Sequence, residues 1–130
     1  MKSYTDLEQS KRLAKILPPE SADCYWDYDE MQKFHRISWF EDGYNKESQL
    51  ILNENNVCAW SLAALLDIIP YAIHKSDNEF YRLEIDKGYS DYAIWYSNNG
   101  LTVDDLDVTS DNFVDACVEM IIKLHEQNLL

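Results

Sequence analysis

The residue with the clearest potential for chemistry is Cys58, near the start of an apolar run from Asn56 to Pro70. If that run is a helix, the dipole and the free backbone N–H groups at its start would favour the thiolate form of a cysteine. A thiolate is a good nucleophile once a histidine can act as its base. One hypothesis is therefore a cysteine-dependent hydrolase in which Cys58 works with His35 or His74.

The residues around Cys58 weaken this hypothesis. Trp60 stands close by, as a Trp does in papain-like enzymes, but the Cys-Gly-Ser-Cys-Trp signature of those enzymes is absent. No histidine falls within the strands predicted between Phe80 and Ser97, so the base would have to arrive by another route. Free cysteines commonly behave as small buried hydrophobes. We therefore predict no catalytic residues and keep the Cys58 hydrolase as an alternative.

Metal and nucleotide chemistry are also disfavoured by spacing. The three histidines, His35, His74 and His125, form no His-x-x-x-His pair, and no Cys-x-x-Cys is present. Acidic clusters at 27–30 and 104–107 lack the glycine and glutamate positions of an EF-hand loop. Three glycines in the whole chain cannot build a phosphate-binding loop. We expect neither a metal ion nor a cofactor.

Aromatic residues are the more unusual feature, with four Trp and nine Tyr in 130 residues. Most of them lie in two stretches that alternate like strands, and side chains of a strand point to opposite faces in turn. Rings on both faces cannot all enter one core. Exposed Tyr and Trp give a protein partner a large contact area. The sequence therefore predicts an aromatic binding surface that includes Tyr25, Trp39, Tyr92 and Trp95.

The charge balance limits the partners that such a surface could bind. Eleven Lys and Arg against 24 Asp and Glu give a net charge of −13. Residues 77–119 hold eleven acids against only Arg82 and Lys87. This charge disfavours direct contact with nucleic acid or an anionic membrane. It suits a basic protein partner, and a second alternative is an acidic mimic of nucleic acid.

Length and terminal sequence favour a single cytoplasmic domain over residues 1–130. The chain is long enough to bury a core without metals or disulfides. Its start lacks the apolar segment of a secretory signal, and no run is long enough to span a membrane. Three widely spaced cysteines are typical of reduced thiols and not of a disulfide framework.

Hydrophobic spacing predicts three helices. The first runs from Thr5 to Leu17, with Thr5 and Glu8 matching a capping box. The second is the apolar run from Asn56 to Pro70, read as a buried central helix with Asn56 as its cap. The third, from Thr109 to Gln127, has apolar residues recurring on one helical face.

Alternation predicts two hairpins between these helices. The first spans Ala22 to Phe40, and the second joins Phe80–Asp86 to Tyr92–Ser97. Leu101 to Val108 is ambiguous and could add an edge strand, while Glu41 to Asn56 reads as a loop with room for a short strand. The predicted fold is a single α+β domain, an antiparallel sheet of two hairpins packed with about three helices.

Three separated blocks, 4–18, 60–66 and 114–121, carry a resemblance. They read Tyr-Thr-Asp-Leu-Glu-Gln-Ser-Lys-Arg-Leu-Ala-Lys-Ile-Leu-Pro, Trp-Ser-Leu-Ala-Ala-Leu-Leu and Val-Asp-Ala-Cys-Val-Glu-Met-Ile. Together they resemble an uncharacterised family of small proteins from anaerobic gut bacteria and their phages or mobile elements. That family has no assigned activity. The resemblance implies an intracellular setting and an accessory role in a mobile element.

The leading interpretation is a non-enzymatic intracellular protein that presents an acidic, aromatic sheet face to another protein. It rests on the missing catalytic signatures, the charge and the surplus of strand aromatics. The expected partner is a protein, or a second copy of the same chain.

Overall fold

The fold combines helices with antiparallel strands, which confirms the predicted α+β class. The computed structural model describes residues 2–41, 54–76 and 78–130, except for the side chain of residue 104. In chain order the elements are α1 (Leu7–Ala14), a 3-10 turn (Pro19–Ser21), β1 (Cys24–Asp29), β2 (Phe34–Trp39), β3 (Val57–Ala59), α2 (Leu62–Ile68), β4 (Ala72–Ser76), β5 (Glu79–Lys87), β6 (Tyr92–Asn98), β7 (Leu101–Ser110) and α3 (Phe113–Glu126).

The chain divides into two compact units. One comprises Ser3–Ala64, and the other comprises Met1–Lys2 with Leu65–Leu130. Each unit contains one antiparallel sheet, so the two hairpins predicted from the sequence lie in two different sheets. A single domain over residues 1–130 stays a prediction.

The sheet of the Ser3–Ala64 unit has the strand order β2-β1-β3. The predicted hairpin is confirmed, with Cys24 opposite Trp39 at one end and Asp29 opposite Phe34 at the other. Asp29 also builds the turn, because its Oδ1 accepts hydrogen bonds from the backbone N–H groups of Met31 and Gln32, each 3.0 Å long. Such side-chain-to-backbone bonds are the reason that Asp is common in turns.

The cap of helix α1 lies one residue later than the sequence predicted. The capping box is formed by Asp6 and Gln9, not by Thr5 and Glu8: Asp6 Oδ1 accepts from Gln9 N at 2.8 Å, and Gln9 Oε1 accepts from Asp6 N at 3.1 Å. Thr5 is fully buried, and its hydroxyl accepts from the backbone N–H of Trp60 at 3.1 Å. The prediction failed because a residue 55 positions away uses the hydroxyl that would otherwise cap the helix.

The apolar run from Asn56 to Pro70 is not one helix. Its first part is β3, which pairs antiparallel with β1, and only Leu62–Ile68 is helical. Asn56 is not a cap, because its side-chain oxygen accepts from Tyr28 N on the neighbouring strand at 2.9 Å. The periodicity of a short apolar run does not distinguish a strand from a helix. Here residues 57–59 form a strand because they pair with β1, which is distant in the sequence. The helix does end before Pro70, as predicted.

The start of α2 is instead held by Ser61 and Asp23. Ser61 Oγ accepts from Ala64 N at 3.2 Å, which satisfies a donor of the first helical turn. The Asp23 carboxylate accepts from Ser61 N at 2.9 Å and from the Ser61 hydroxyl. Strand β1 and the start of helix α2 are therefore joined through one carboxylate next to the strand.

The sheet of the Leu65–Leu130 unit is an antiparallel meander in the order β4-β5-β6-β7. The second predicted hairpin and the edge strand after it are both confirmed, as β5, β6 and β7. Asn99 and Gly100 form the β6–β7 turn with φ of 50° and 82°. Positive φ at both central residues is typical of the type I′ hairpin turn, for which Asn-Gly is a strong signal. Strand β4, however, was not predicted.

Edge strand β7 is interrupted by a bulge. Its pairing with β6 shifts register between Trp95 and Ser97, and Asp105 has a φ of 67°. Between the pairs Trp95–Asp107 and Ser97–Thr102, β7 has about three more residues than β6. Such irregularities twist an edge strand away from other edges.

Helix α3 covers one face of this sheet and completes its core. Asn112 caps the helix by accepting from Asp115 N at 3.1 Å. The predicted third helix is confirmed, although it starts at Phe113 and not at Thr109. The buried side chains of this core are Ile94, Tyr96, Val103, Leu106, Val108, Val114, Cys117, Met120, Ile121 and Leu124.

Candidate functional site

The face of the four-stranded sheet turned away from α3 carries charged, polar and aromatic side chains. In β6, Ile94 and Tyr96 are buried, so Trp95 and its alternate neighbours point to the other face. Residues directly opposite in an antiparallel pair share a face, which adds side chains from β5 and β7. We call this surface the open face and define it by Phe80, Arg82, Glu84, Trp95, Ser97 and Asp107.

Trp95 lies at the centre of the open face between two carboxylates. Glu84 of β5 is directly opposite Trp95 on one side, and Asp107 of β7 is directly opposite on the other. Directly opposite Cβ atoms are about 4.5–5.5 Å apart. Both acids are exposed and Trp95 is half-buried. In the part of the chain that the structure describes, neither carboxylate has a hydrogen bond or ion pair. The row Glu84–Trp95–Asp107 therefore offers an aromatic ring with a negative charge on each side.

The next row of the open face has the opposite sign. Arg82 is two residues from Glu84 on β5 and directly opposite Ser97. It is exposed, and it has no ion pair among the residues described here. Extended residues two apart are separated by roughly 7 Å. A guanidinium thus lies one row from the two carboxylates, and the row on their other side carries the exposed Asp86, directly opposite Ala93.

Two depressions accompany these rows. One, of about 310 Å³, lies against Arg82 and Ser97 and extends from Phe80 to the turn at 98–100. The other, of about 170 Å³, lies beside Trp95 between β6 and β7. Pockets for small molecules are commonly about 300–1,000 Å³ and mostly apolar. These two are at or below that range, and the larger is lined mainly by polar residues, so individual side chains of a partner fit them better than an enclosed ligand.

The structure places the four residues of the predicted aromatic surface on different faces. Trp95 lies on the open face, but Tyr92 faces the α3 side, where its ring packs on Phe113 at 4.9 Å. In the other unit, Tyr25 is opposite Ser38 while Trp39 is opposite Cys24. Tyr25 and Trp39 therefore point to opposite faces of their sheet, and Trp39 is 53% exposed. Binding by these four residues stays a prediction.

Cys58 does not lie at the start of a helix. It is buried in β3, opposite Tyr25 of β1. His35 is opposite Tyr28, which is three residues further along β1, so Cys58 and His35 point to opposite faces of the sheet. His35 Nε2 instead lies 3.0 Å from the Asn55 carbonyl oxygen. The helix-start argument for a reactive thiolate at this position therefore does not hold.

His74, the other proposed base, lies in the Leu65–Leu130 unit, where its ring packs on Phe80 at 5.1 Å. It belongs to β4 and is directly opposite Phe80, so it points to the same side of the sheet as the open face. Among the described residues it has this aromatic neighbour and no hydrogen bond that would orient it as a base.

The other two thiols are held in their protonated form. Burial raises the pKa of Cys117 to about 12. Burial, with the neighbouring Asp23 carboxylate, raises the pKa of Cys24 to about 12. Burial also raises the pKa of Tyr96, whose hydroxyl donates to the Pro70 carbonyl oxygen at 2.5 Å. Because the thiolate is the reactive species, neither Cys24 nor Cys117 is a nucleophile near neutral pH.

The three charged residues of the open face, Arg82, Glu84 and Asp107, were not among the predicted binding residues. The alternation in β5 already placed Arg82 and Glu84 together on the face opposite Leu83. The face on which Asp107 lies could not be predicted from the sequence, because the bulge at Asp105 changes which β7 residues share a face with Trp95.

Comparison with protein-family models, with curated proteins and with solved structures finds no significant match for this chain. Within residues 2–41, 54–76 and 78–130, no three His, Cys, Asp or Glu side chains are grouped so that they could hold a metal ion. Over the same ranges, no helix has the length and apolar character needed to cross a membrane.

Proposed function

We propose that this chain is a non-enzymatic protein-interaction module and that the open face is its contact surface. The observation that carries the proposal is the half-buried Trp95, surrounded on an exposed sheet face by the charged groups of Arg82, Glu84 and Asp107. Trp, Tyr and Arg are enriched at the energetic centre of interfaces. Trp gives a large contact area for few rotatable bonds, and Arg gives a planar group with five hydrogen-bond donors.

The state of the thiols supports a binding role over a hydrolytic one. Burial raises the pKa of Cys24 and of Cys117 to about 12, which disfavours their thiolate forms further. Cys58 is buried and faces away from His35 across the sheet. A cysteine hydrolase needs a thiol and a base within hydrogen-bond reach. The intracellular setting and the accessory role in a phage or mobile element are part of the proposal and rest on the resemblance of three sequence blocks.

The charge of the chain favours a different protein over a second copy as the partner. A net charge of −13 makes two copies repel each other. The open face itself has two carboxylates around Trp95 against one guanidinium, so two such faces would bring like charges together. A partner with basic residues at its contact surface would meet no such repulsion.

Trp95→Ala tests the proposal, with Tyr89→Ala as the matched control. Tyr89 is a fully exposed aromatic residue in the β5–β6 turn of the same unit. Proteins captured from a lysate of the source cells are compared for the wild-type chain and both variants, and the candidate partner is then purified and titrated calorimetrically. Removing a central interface Trp commonly costs about 2 kcal/mol or more, so Trp95→Ala should weaken binding at least roughly 30-fold.

The control should bind the same partner within about twofold of the wild type. Equal binding by Trp95→Ala and wild type would show that the open face is not the contact surface. A chain that captures no protein and stays monomeric at all concentrations by light scattering would refute the interaction role itself.

A further inference from the structure

We infer that the Glu84–Trp95–Asp107 row binds an arginine side chain from an extended segment of the partner protein, and that this segment carries an acidic residue two positions away. The inference rests on the proposed function and adds the chemistry of the partner to it. Its basis is the order of charges across the open face, carboxylate–indole–carboxylate in one row and guanidinium in the next.

The geometry of the row suits a planar cation. Because Glu84 and Asp107 are each directly opposite Trp95, their Cβ atoms lie about 9–11 Å apart with the indole between them. A guanidinium placed over the ring gains a cation–π contact, and the N–H groups in its own plane point outward toward both acids. An ammonium is a point charge and cannot bridge the two acids in the same way, so arginine is favoured over lysine.

The depression beside Trp95 gives the arginine stem a place to lie. Its volume of about 170 Å³ is bounded by Trp95, Thr102 and Asp107. The methylene groups of an arginine commonly cover apolar surface while the charged end stays in contact with water and polar groups. Trp95 is half-buried, so its ring is already restrained before the partner binds, and less entropy is lost.

Arg82 adds a second requirement to the partner segment. It lies two residues from Glu84 on the same face of β5 and lines the larger depression of about 310 Å³. An extended peptide that runs along the strands places its alternate side chains roughly 7 Å apart, which matches this spacing. An acidic residue there would pair with Arg82, and a basic residue there would be repelled, whereas a basic residue on the other side of the bound arginine would meet Asp86. The partner pattern on the Arg82 side is therefore Arg-x-Asp or Arg-x-Glu.

This pattern separates a specific site from general attraction. A chain of net charge −13 attracts any cationic peptide, and that attraction is stronger for two arginines than for one. In an Asp86→Asn variant, where a second arginine finds no carboxylate in the row opposite to that of Arg82, the open face predicts the reverse order: a blocked peptide with Arg-Ala-Glu at its centre should bind more tightly than the same peptide with Arg-Ala-Arg.

Tryptophan indole N–H signals in NMR spectra provide the readout. Trp26 and Trp60 donate their indole N–H groups to Thr5 O at 3.2 Å and to Ser21 Oγ at 2.9 Å. Trp39 is exposed but lies on the other sheet, so its signal is the internal control. Trp95→Phe assigns the remaining signal. Titration with the Arg-Ala-Glu peptide should shift the Trp95 signal in a saturable manner and leave the Trp39 signal unchanged.

Two double variants with equal charge loss show which carboxylates matter. Glu84→Gln with Asp107→Asn removes the pair beside Trp95 and should weaken binding of the Arg-Ala-Glu peptide about tenfold. Glu119→Gln with Glu126→Gln removes two exposed acids from α3 and should change binding less than twofold. Thermal unfolding of all variants confirms that each is folded before titration.

Four results would overturn the inference. Tighter binding of Arg-Ala-Arg than of Arg-Ala-Glu by the Asp86→Asn variant, or equal weakening by both double variants, would reduce the effect to general attraction. Saturation of the Trp95 signal by tetramethylammonium at the affinity of the peptide would make this a site for free cations. If Trp95→Ala abolishes partner capture while neither peptide shifts the Trp95 signal, the arginine assignment is wrong and the proposed function stands.

Discussion

Removing the Asp23 carboxylate should destabilise the Ser3–Ala64 unit more than the loss of an ordinary surface charge. Asp23 accepts from Ser61 N at 2.9 Å and from the Ser61 hydroxyl, while Ser61 Oγ accepts from Ala64 N at 3.2 Å. One carboxylate thus fixes the residue that caps α2. Asp23→Ala removes both hydrogen bonds and leaves the Ser61 N–H without this acceptor.

The expected loss of stability in Asp23→Ala has two contributions, the hydrogen bonds to the carboxylate and the cap of α2. A hydrogen bond to a charged group contributes about 1.5–3 kcal/mol, and loss of a helix cap costs about 0.5–2 kcal/mol. Because Asp23 is only half-buried and water can partly replace its hydrogen bonds, we expect Asp23→Ala to lower the free energy of unfolding by about 2–3 kcal/mol. Ser61→Ala should cost about 1–2 kcal/mol.

Urea denaturation followed by far-ultraviolet circular dichroism measures both variants and their combination. If the two side chains act as one unit, the double variant should cost less than the sum of the single variants by about 1 kcal/mol or more. Glu30→Ala, which removes an exposed carboxylate from the β1–β2 turn, is the control and should stay within about 0.5 kcal/mol of the wild type. Additive single effects, or an Asp23→Ala change no larger than that of the control, would show that the Asp23–Ser61 contact does not hold the helix.

Three further predictions concern the cores, the thiols and a turn. Leu65 is fully buried, so Leu65→Asp should cost about 3–5 kcal/mol and leave the protein largely unfolded by circular dichroism; an unchanged melting temperature would contradict its burial. Cys24 and Cys117 have pKa values raised from 9.0 to about 12, so iodoacetamide at pH 8 should label them only after denaturation. The stability that a raised thiol pKa contributes is fully present below the unfolded value and is lost as the pH rises through the folded value. Their contribution to stability should therefore fall as the pH rises from 9 toward 12, and alkaline denaturation midpoints that do not fall over this window would contradict the shift. Gly100 has a φ of 82° and no atom close to where a Cβ would lie, so Gly100→Ala should cost about 1 kcal/mol by strain alone, and Gly100→Asn should cost less in the same urea titration.

The hairpins and the last helix could be predicted because their signals are local. Alternation in 80–86 and 92–97 fixes which side chains share a face, and Asn99-Gly100 encodes its own turn. The spacing from Phe113 to Leu124 places one apolar stripe on a helix that lies against a sheet. In each case the residues that decide the structure lie within one or two elements of each other.

The misread elements depend on residues far away in the sequence. Thr5 and Asp6 are both acceptable helix caps, and Asp6 serves because Trp60 takes the Thr5 hydroxyl. The segment 57–59 is apolar enough for a helix, but the free edge of β1 provides backbone partners that make it a strand. No local pattern contains either fact, since both depend on which segments meet in the folded chain.

The candidate site also combines features that local sequence predicts with features that depend on distant residues. Tyr92 and Trp95 are three residues apart in one strand, so alternation alone already places them on opposite faces and only one of them on the open face. The partnership of Trp95 with Glu84 requires the hairpin register, which the turn sets locally. The partnership with Asp107 requires the bulge at Asp105 as well, and a bulge in an acidic stretch without a glycine at that position has no clear sequence signal.

The open face also explains how an acidic chain can select among basic partners. Net charge alone attracts every cationic protein, and it does so without regard to sequence. Selectivity requires an element that repels the wrong partner as well as one that attracts the right one. On the open face, Glu84 and Asp107 provide the attraction and Arg82, one row away, provides the repulsion. Arg82→Glu should therefore strengthen binding of the Arg-Ala-Arg peptide and weaken that of the Arg-Ala-Glu peptide. A change in net charge alone would strengthen binding of the cationic Arg-Ala-Arg peptide and leave binding of the neutral Arg-Ala-Glu peptide nearly unchanged. Weaker binding of Arg-Ala-Glu is therefore the result that supports selection by Arg82.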